Sequence, residues 1–117
     1  MILSTFITID KMTHYPSLYT SKYTHMENIT RLQIDDNIYQ MLRKRGYIFP
    51  ENLKNNIELM TGTFGLNDYR LDCVLNAFDS GELPPIKVNK DGIVVDGRHR
   101  LAASIIRGCS HIFIDYY

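Results

Sequence analysis

The stretch Asp91-Gly92-Ile93-Val94-Val95-Asp96-Gly97-Arg98-His99-Arg100-Leu101-Ala102-Ala103-Ser104-Ile105-Ile106-Arg107 decides the fold. A β-branched run, Ile93 to Val95, meets a turn at Asp96-Gly97 and passes into an apolar segment with helical spacing. It reads strand, tight turn, helix. Arg98, His99 and Arg100 fall at the start of that helix, where the peptide dipole favours acids and each cation costs about 0.3 to 1 kcal/mol. Asp96 is placed to act as N-cap, yet one carboxylate cannot serve two guanidiniums and the open backbone N–H groups together. An anion could. Gly97, open amides and two arginines are the parts of a phosphate or carboxylate cradle.

Working outward, Pro85 to Asn89 reads as a strand, Lys90-Asp91-Gly92 as a turn and Ile93 to Val95 as the hairpin partner. The helix from about His99 to Arg107 directs Leu101, Ala102, Ile105 and Ile106 at the sheet, and Gly108 ends it. His111 to Tyr117 is a β-rich closing strand. Upstream, Asn67 or Asp68 caps a helix with the stripe Leu71, Val74, Leu75, Phe78, ended by Ser80-Gly81. Asp35 or Asp36 caps another, with Ile38, Met41, Leu42 and Arg45 on one side and Gly46 beyond its end. Pro50 is placed to open a further helix through Leu53, Ile57 and Met60, stopping near Thr61-Gly62. Phe6 to Ile9 reads as a first strand. Thr13 to Thr30 has no period and predicts an ordered loop or short irregular helices. Strands at both ends with helices between them predict an α/β (α+β) domain, a small mixed sheet with helices packed on it. At 117 residues the chain is expected to form one domain, 1–117.

Composition narrows the function. Hydrophobic residues make up 44% and charged ones 22%, no apolar run approaches the roughly 20 residues that span a bilayer, and Met1 to Phe6 lacks the parts of a secretory signal. A soluble cytoplasmic protein without a membrane partner is expected. Thirteen basic and thirteen acidic side chains balance, so anion binding has to be local rather than driven by a global field. Cys73 and Cys109 lack CxxC spacing, which predicts two buried free thiols. Arg43-Lys44-Arg45 suits a helix C-terminus electrostatically; a nucleic-acid contact is the competing reading. Tyr15, Tyr19 and Tyr23, with His14 and His25 among them, pack over a core edge or stack on a ligand.

Leu83-Pro84-Pro85-Ile86-Lys87-Val88, followed by Ile93-Val94-Val95-Asp96-Gly97-Arg98-His99-Arg100-Leu101-Ala102-Ala103, resembles the ParB/sulfiredoxin-like superfamily. The likeness covers about half the chain, mostly Leu71 to Asp115, and extends to Phe6 to Lys11 as that family's first strand. Thr13 to Gly65 lies outside it and reads as an elaborating, largely helical segment. The resemblance implies a turn that holds the phosphates of a nucleotide or phosphorylated substrate. By position, Gly97 would admit the phosphate, Arg98 and His99 would face it, Arg100 would clamp it, and Asp96 would fix the turn or assist a metal or proton transfer. Sulfiredoxins carry a catalytic cysteine where this chain has Arg98, which argues against sulfinic-acid reduction. Partition proteins carry a different arginine motif and a following helix-turn-helix domain, and a stand-alone member of nuclease type is the expectation.

Several functions are therefore carried forward. The first is a nucleotide- or nucleic-acid-phosphate-binding domain with nuclease or nucleotide-hydrolase chemistry, His99 and Asp96 acting as acid/base groups and Mg²⁺ with a nucleotide such as CTP or ATP as cofactor. The second is a non-catalytic module of viral or mobile-element type that meets a protein or nucleic acid through the tyrosine-rich segment and Arg43, Lys44 and Arg45. A third is a small-molecule kinase resembling the free-serine kinase branch, whose turn has its histidine one place earlier. Structural roles compete at each site residue: a bracing ring for His99, an ion pair to Asp96, Asp10 or Asp115 for Arg100, and capping for Asp96.

Overall fold

In a computed structural model, which describes residues 24–47, 54–56, 66–81 and 83–116, the hairpin forms as its turn residues dictate. Asn89 Oδ1 accepts the amides of Asp91 at 2.9 Å and Ile93 at 3.1 Å, closing the turn locally. In chain order the elements are β1 (Thr24–Asn28), a single 3₁₀ turn (Ile29–Arg31), β2 (Gln33–Asp35), α1 (Asp36–Lys44), β3 (Lys54–Asn56), α2 (Asp68–Asp79), β4 (Ile86–Val88), β5 (Val94–Asp96), α3 (Arg98–Ile106) and β6 (His111–Tyr116).

The main sheet has the order β1-β6-β4-β5. β1 and β5 run antiparallel to their neighbours, whereas β4 and β6 are parallel, so the fold is α+β with a small mixed sheet, of four strands among the described residues. Alternation sets its inner face: Ile86, Val88, Ile112 and Ile114 are buried while Lys87 is exposed and Phe113 half-buried. Helix periodicity supplies the other side of the core. Leu71, Leu75 and Phe78 of α2, Leu101, Ala102 and Ala103 of α3, and Ile38, Met41 and Leu42 of α1 are buried in the same cluster. Each large side chain among them contributes roughly 1.5 to 3 kcal/mol. Ala103 joins Leu101 and Ala102 in full burial, and Ile105 and Ile106 are only half-buried.

A second, two-stranded sheet pairs β2 with β3 in parallel. The hairpin tip fastens it to the main sheet, because the Gly92 carbonyl accepts the Gln33 amide at 2.8 Å and the Gln33 side chain donates to the Asp91 carbonyl at 2.7 Å.

Several expectations are corrected. Lys54–Asn56 is a strand rather than part of a helix opening at Pro50; pairing to β2 outweighs the apolar spacing around it. Thr24–Asn28 is a strand along β6 rather than loop, although the 3₁₀ turn at Ile29–Arg31 matches the expected short irregular helix. The described part of the segment 13–65 thus holds β1, β2 and β3 beside α1 and the 3₁₀ turn. Cys109 is buried as expected but Cys73 is exposed, since it lies on the outer side of α2. The first strand at Phe6 to Ile9, and Tyr15, Tyr19, Tyr23 and His14, lie outside the described residues. Among the described residues no helix is long and apolar enough to cross a membrane.

Candidate functional site

Three helix starts are built differently. Asp35 caps α1 by accepting the Ile38 amide at 3.0 Å, and Asn67 caps α2 by accepting the Arg70 amide at 2.9 Å. α3 begins at Gly97, which has φ +104° and offers no side-chain cap. Asp96, expected as that cap, instead accepts from Arg100 Nη2 at 3.2 Å. Asp96 ends β5 one residue before the N-cap position, which Gly97 occupies, and its carboxylate is taken up by Arg100. The amides of His99 and Arg100 consequently have no acceptor among the described residues.

The two arginines of the turn are held by the protein itself. Arg98 Nε donates to Asp35 Oδ2 and its Nη2 to Oδ1 at 3.0 Å, a bidentate pair in which the carboxylate is 4% exposed. Arg100 donates through Nη1 to the carbonyls of Pro84 at 3.1 Å and Pro85 at 2.9 Å, in addition to Asp96. It acts as a strut between α3 and the chain entering β4. Gly97 is needed for the same packing: a Cβ there would lie 2.7 Å from Ile86 Cγ2 and 3.0 Å from Arg100 Nε. Close approach at this glycine is therefore made by Ile86 and Arg100.

His99 is half-buried, and its Nε2 accepts the Asn67 amide at 3.0 Å, tying the start of α3 to the start of α2. Burial, followed by the charges of Arg70 and Arg98, pushes its pKa below 6.5. The Asn67 amide bonds Nε2 only while that nitrogen carries no proton, so this bond favours the neutral ring. The lone pair a general base would use is thus already engaged, which corresponds to the bracing role for this ring.

Between the first turns of α2 and α3 lies a cleft of about 280 Å³. Its polar wall is Arg70, Arg98, His99 and Arg100 with Asp96, and its apolar wall includes Val74, Leu83 and Pro84. The cleft thus brings together the residues of the Asp96 to Arg100 turn and adds Arg70. Sequence reasoning missed Arg70, whose only signal was its place three residues after the cap of α2. A second cleft of about 280 Å³ at the hairpin tip is bordered by Glu27 and Asp91 against Arg31 and Lys90; its charges cancel, so it offers no comparable field.

The remaining basic cluster is divided. Arg45 ion-pairs with Asp68 at 3.1 Å and Asp72 at 3.0 Å, joining α1 to α2. Arg43 lies over the Tyr39 ring with its guanidinium 5.6 Å from the centroid, and Lys44 is exposed. Arg43 and Lys44 do not share the cleft's lining with the turn residues.

No group of three or more His, Cys, Asp and Glu side chains among the described residues could hold a metal ion. Among the described residues Asp96 is the one carboxylate lining the cleft. A hydrated Mg²⁺ needs only one or two carboxylates beside a ligand's phosphates, so Asp96 fits that limited role, in competition with Arg100. Compared with known proteins, the chain matches no family model, no curated protein and no solved structure.

Proposed function

We propose that the protein is a phosphate-binding domain whose ligand, a nucleotide or a nucleic-acid phosphate, sits in the cleft between α2 and α3. The observation that carries this reading is the uncapped start of α3, whose His99 and Arg100 amides border a cleft lined, among the described residues, by Arg70, Arg98, Arg100 and the carboxylate of Asp96. Open amides, the positive end of the helix dipole and cations favour the same ligand, an anion with several acceptor oxygens. The resemblance of this turn to that of the ParB/sulfiredoxin-like superfamily supports the same choice. Mg²⁺ accompanying a nucleotide such as CTP or ATP would be held through the phosphates and Asp96, where it would neutralise charge.

Binding is better supported than catalysis. Hydrolysis or phosphoryl transfer, as in a nuclease, a nucleotide hydrolase or a small-molecule kinase, needs a proton acceptor at the cleft, and His99 would first have to release the Asn67 amide. The engagement of Arg98 and Arg100 within the protein favours the non-catalytic interaction module as the second reading. The test is a titration with nucleoside triphosphates, with and without Mg²⁺, followed through backbone amide resonances. Shifts at Gly97, His99 and Arg100 are expected; a protein that binds no phosphate compound at these amides would rule the reading out.

A further inference from the structure

The charges around the cleft pair off almost completely. Arg98 is matched by Asp35 and Arg100 by Asp96. On the neighbouring helix faces Arg45 is matched by Asp68 and Asp72, and Arg107 by Asp79 at 2.8 Å. Arg70, exposed on the first turn of α2, has no ion pair and no side-chain hydrogen bond among the described residues, and it lines the cleft. It approaches His99 closely enough for its charge to depress that ring's pKa.

Resting on the phosphate-binding reading above, we infer that Arg70 is the cation that engages the ligand's phosphate, and that the ligand is a small phosphate monoester whose organic part lies on Val74, Leu83 and Pro84, rather than a nucleic-acid strand. Affinity for nucleic acid comes from neutralising several phosphates in a row. Among the described residues one guanidinium is available here, and the α2 surface beside it carries Asp68, Asp72 and Asp79, each more than half exposed. A strand extended along that surface would meet acids whose cations are already committed. A ligand with one phosphate meets Arg70 and the α3 amides and needs nothing further along the helix. The apolar wall supplies contact for a sugar or base, and a volume near the lower end of the roughly 300–1,000 Å³ seen for ligand pockets suits a ligand of that size.

The experiment is calorimetric titration of the whole chain with inorganic phosphate, a nucleoside monophosphate and a single-stranded oligonucleotide, using the wild type, Arg70→Gln and Arg70→Lys. The monophosphate should bind more tightly than inorganic phosphate and than the oligonucleotide. Loss of one charge-assisted contact in Arg70→Gln should weaken it about tenfold or more, with Arg70→Lys recovering part of the loss. Circular dichroism of both variants should match the wild type, because Arg70 is exposed. Undiminished monophosphate binding by Arg70→Gln overturns the assignment of Arg70 and leaves the phosphate-binding reading standing. Tighter binding of the oligonucleotide overturns the ligand class. Failure of all three probes to bind the wild type overturns the assigned ligand class, and failure of nucleoside triphosphates as well overturns the phosphate-binding reading itself.

Discussion

Arg98 holds both carboxylate oxygens of Asp35, 63 positions earlier in the chain, and the same carboxylate caps α1 through the Ile38 amide. One nearly buried acid thus joins the starts of α1 and α3. Removing one partner of a buried pair leaves the other charge uncompensated, at about 3 to 5 kcal/mol. Arg98→Gln and Asp35→Asn should each lower stability by an amount in that range. The double variant should be less destabilised than the sum of the two, with a coupling of about 1 to 3 kcal/mol. Urea unfolding of the four proteins checks this; strict additivity would show that the pair does not act as a unit.

Gly97→Ala should destabilise the fold by about 1 to 3 kcal/mol, the usual cost of a strained backbone conformation. Its φ of +104° disfavours any Cβ, and the added carbon would press on Ile86 and the Arg100 strut. The thermal midpoint reports the loss. A substitution without effect would mean that the turn relaxes, and with it the placement of Arg100.

Stability should fall on mild acidification because of His99. Its folded pKa lies below 6.5, so beneath that value the unfolded chain takes up a proton that the folded chain refuses. The contribution is fully present above pH 6.5, is lost as pH falls, and levels off below the folded pKa. His99→Gln, which retains an acceptor for the Asn67 amide, should flatten this limb of the curve. Arg70→Gln should raise the imidazole pKa by removing the second cause of its depression. Urea midpoints against pH and a proton NMR titration of the ring measure the two effects.

The cysteines should differ in reactivity. Cys73 is exposed, whereas burial pushes the Cys109 thiol up to about 12. Mild alkylation of the native protein should label Cys73 alone, and Cys109 should follow only after denaturation, as mass spectrometry of the peptides will show. Early labelling of Cys109 would mean that the loop after α3 opens readily.

Much of this architecture is legible in local sequence because its causes are local. Asp35 and Asn67 cap helices within three residues, Asn89 closes its own hairpin turn, and alternation in Ile86 to Val88 and Ile112 to Ile114 marks the inner face of the sheet. β1 was illegible because Thr24 to Asn28 has no apolar alternation; the strand is held by backbone pairing to β6 and by the Thr24 hydroxyl, which donates to Asp115 at 2.8 Å. β3 was masked by a helix-like spacing that its parallel pairing to β2 overrides.

The turn from Asp96 to Arg100 shows the same division. Its residues alone determined that strand passes into helix and that cations gather at a helix start. They did not determine which cations are available to a ligand. Only the tertiary structure brings Asp35 to Arg98 and the Pro84 and Pro85 carbonyls to Arg100, and leaves Arg70 facing the cleft without a partner among the described residues. A helix start is made by neighbours in the chain, whereas the neutralisation of a charge depends on distance in space, and those distances are set by how α1, α2 and α3 pack around their common core.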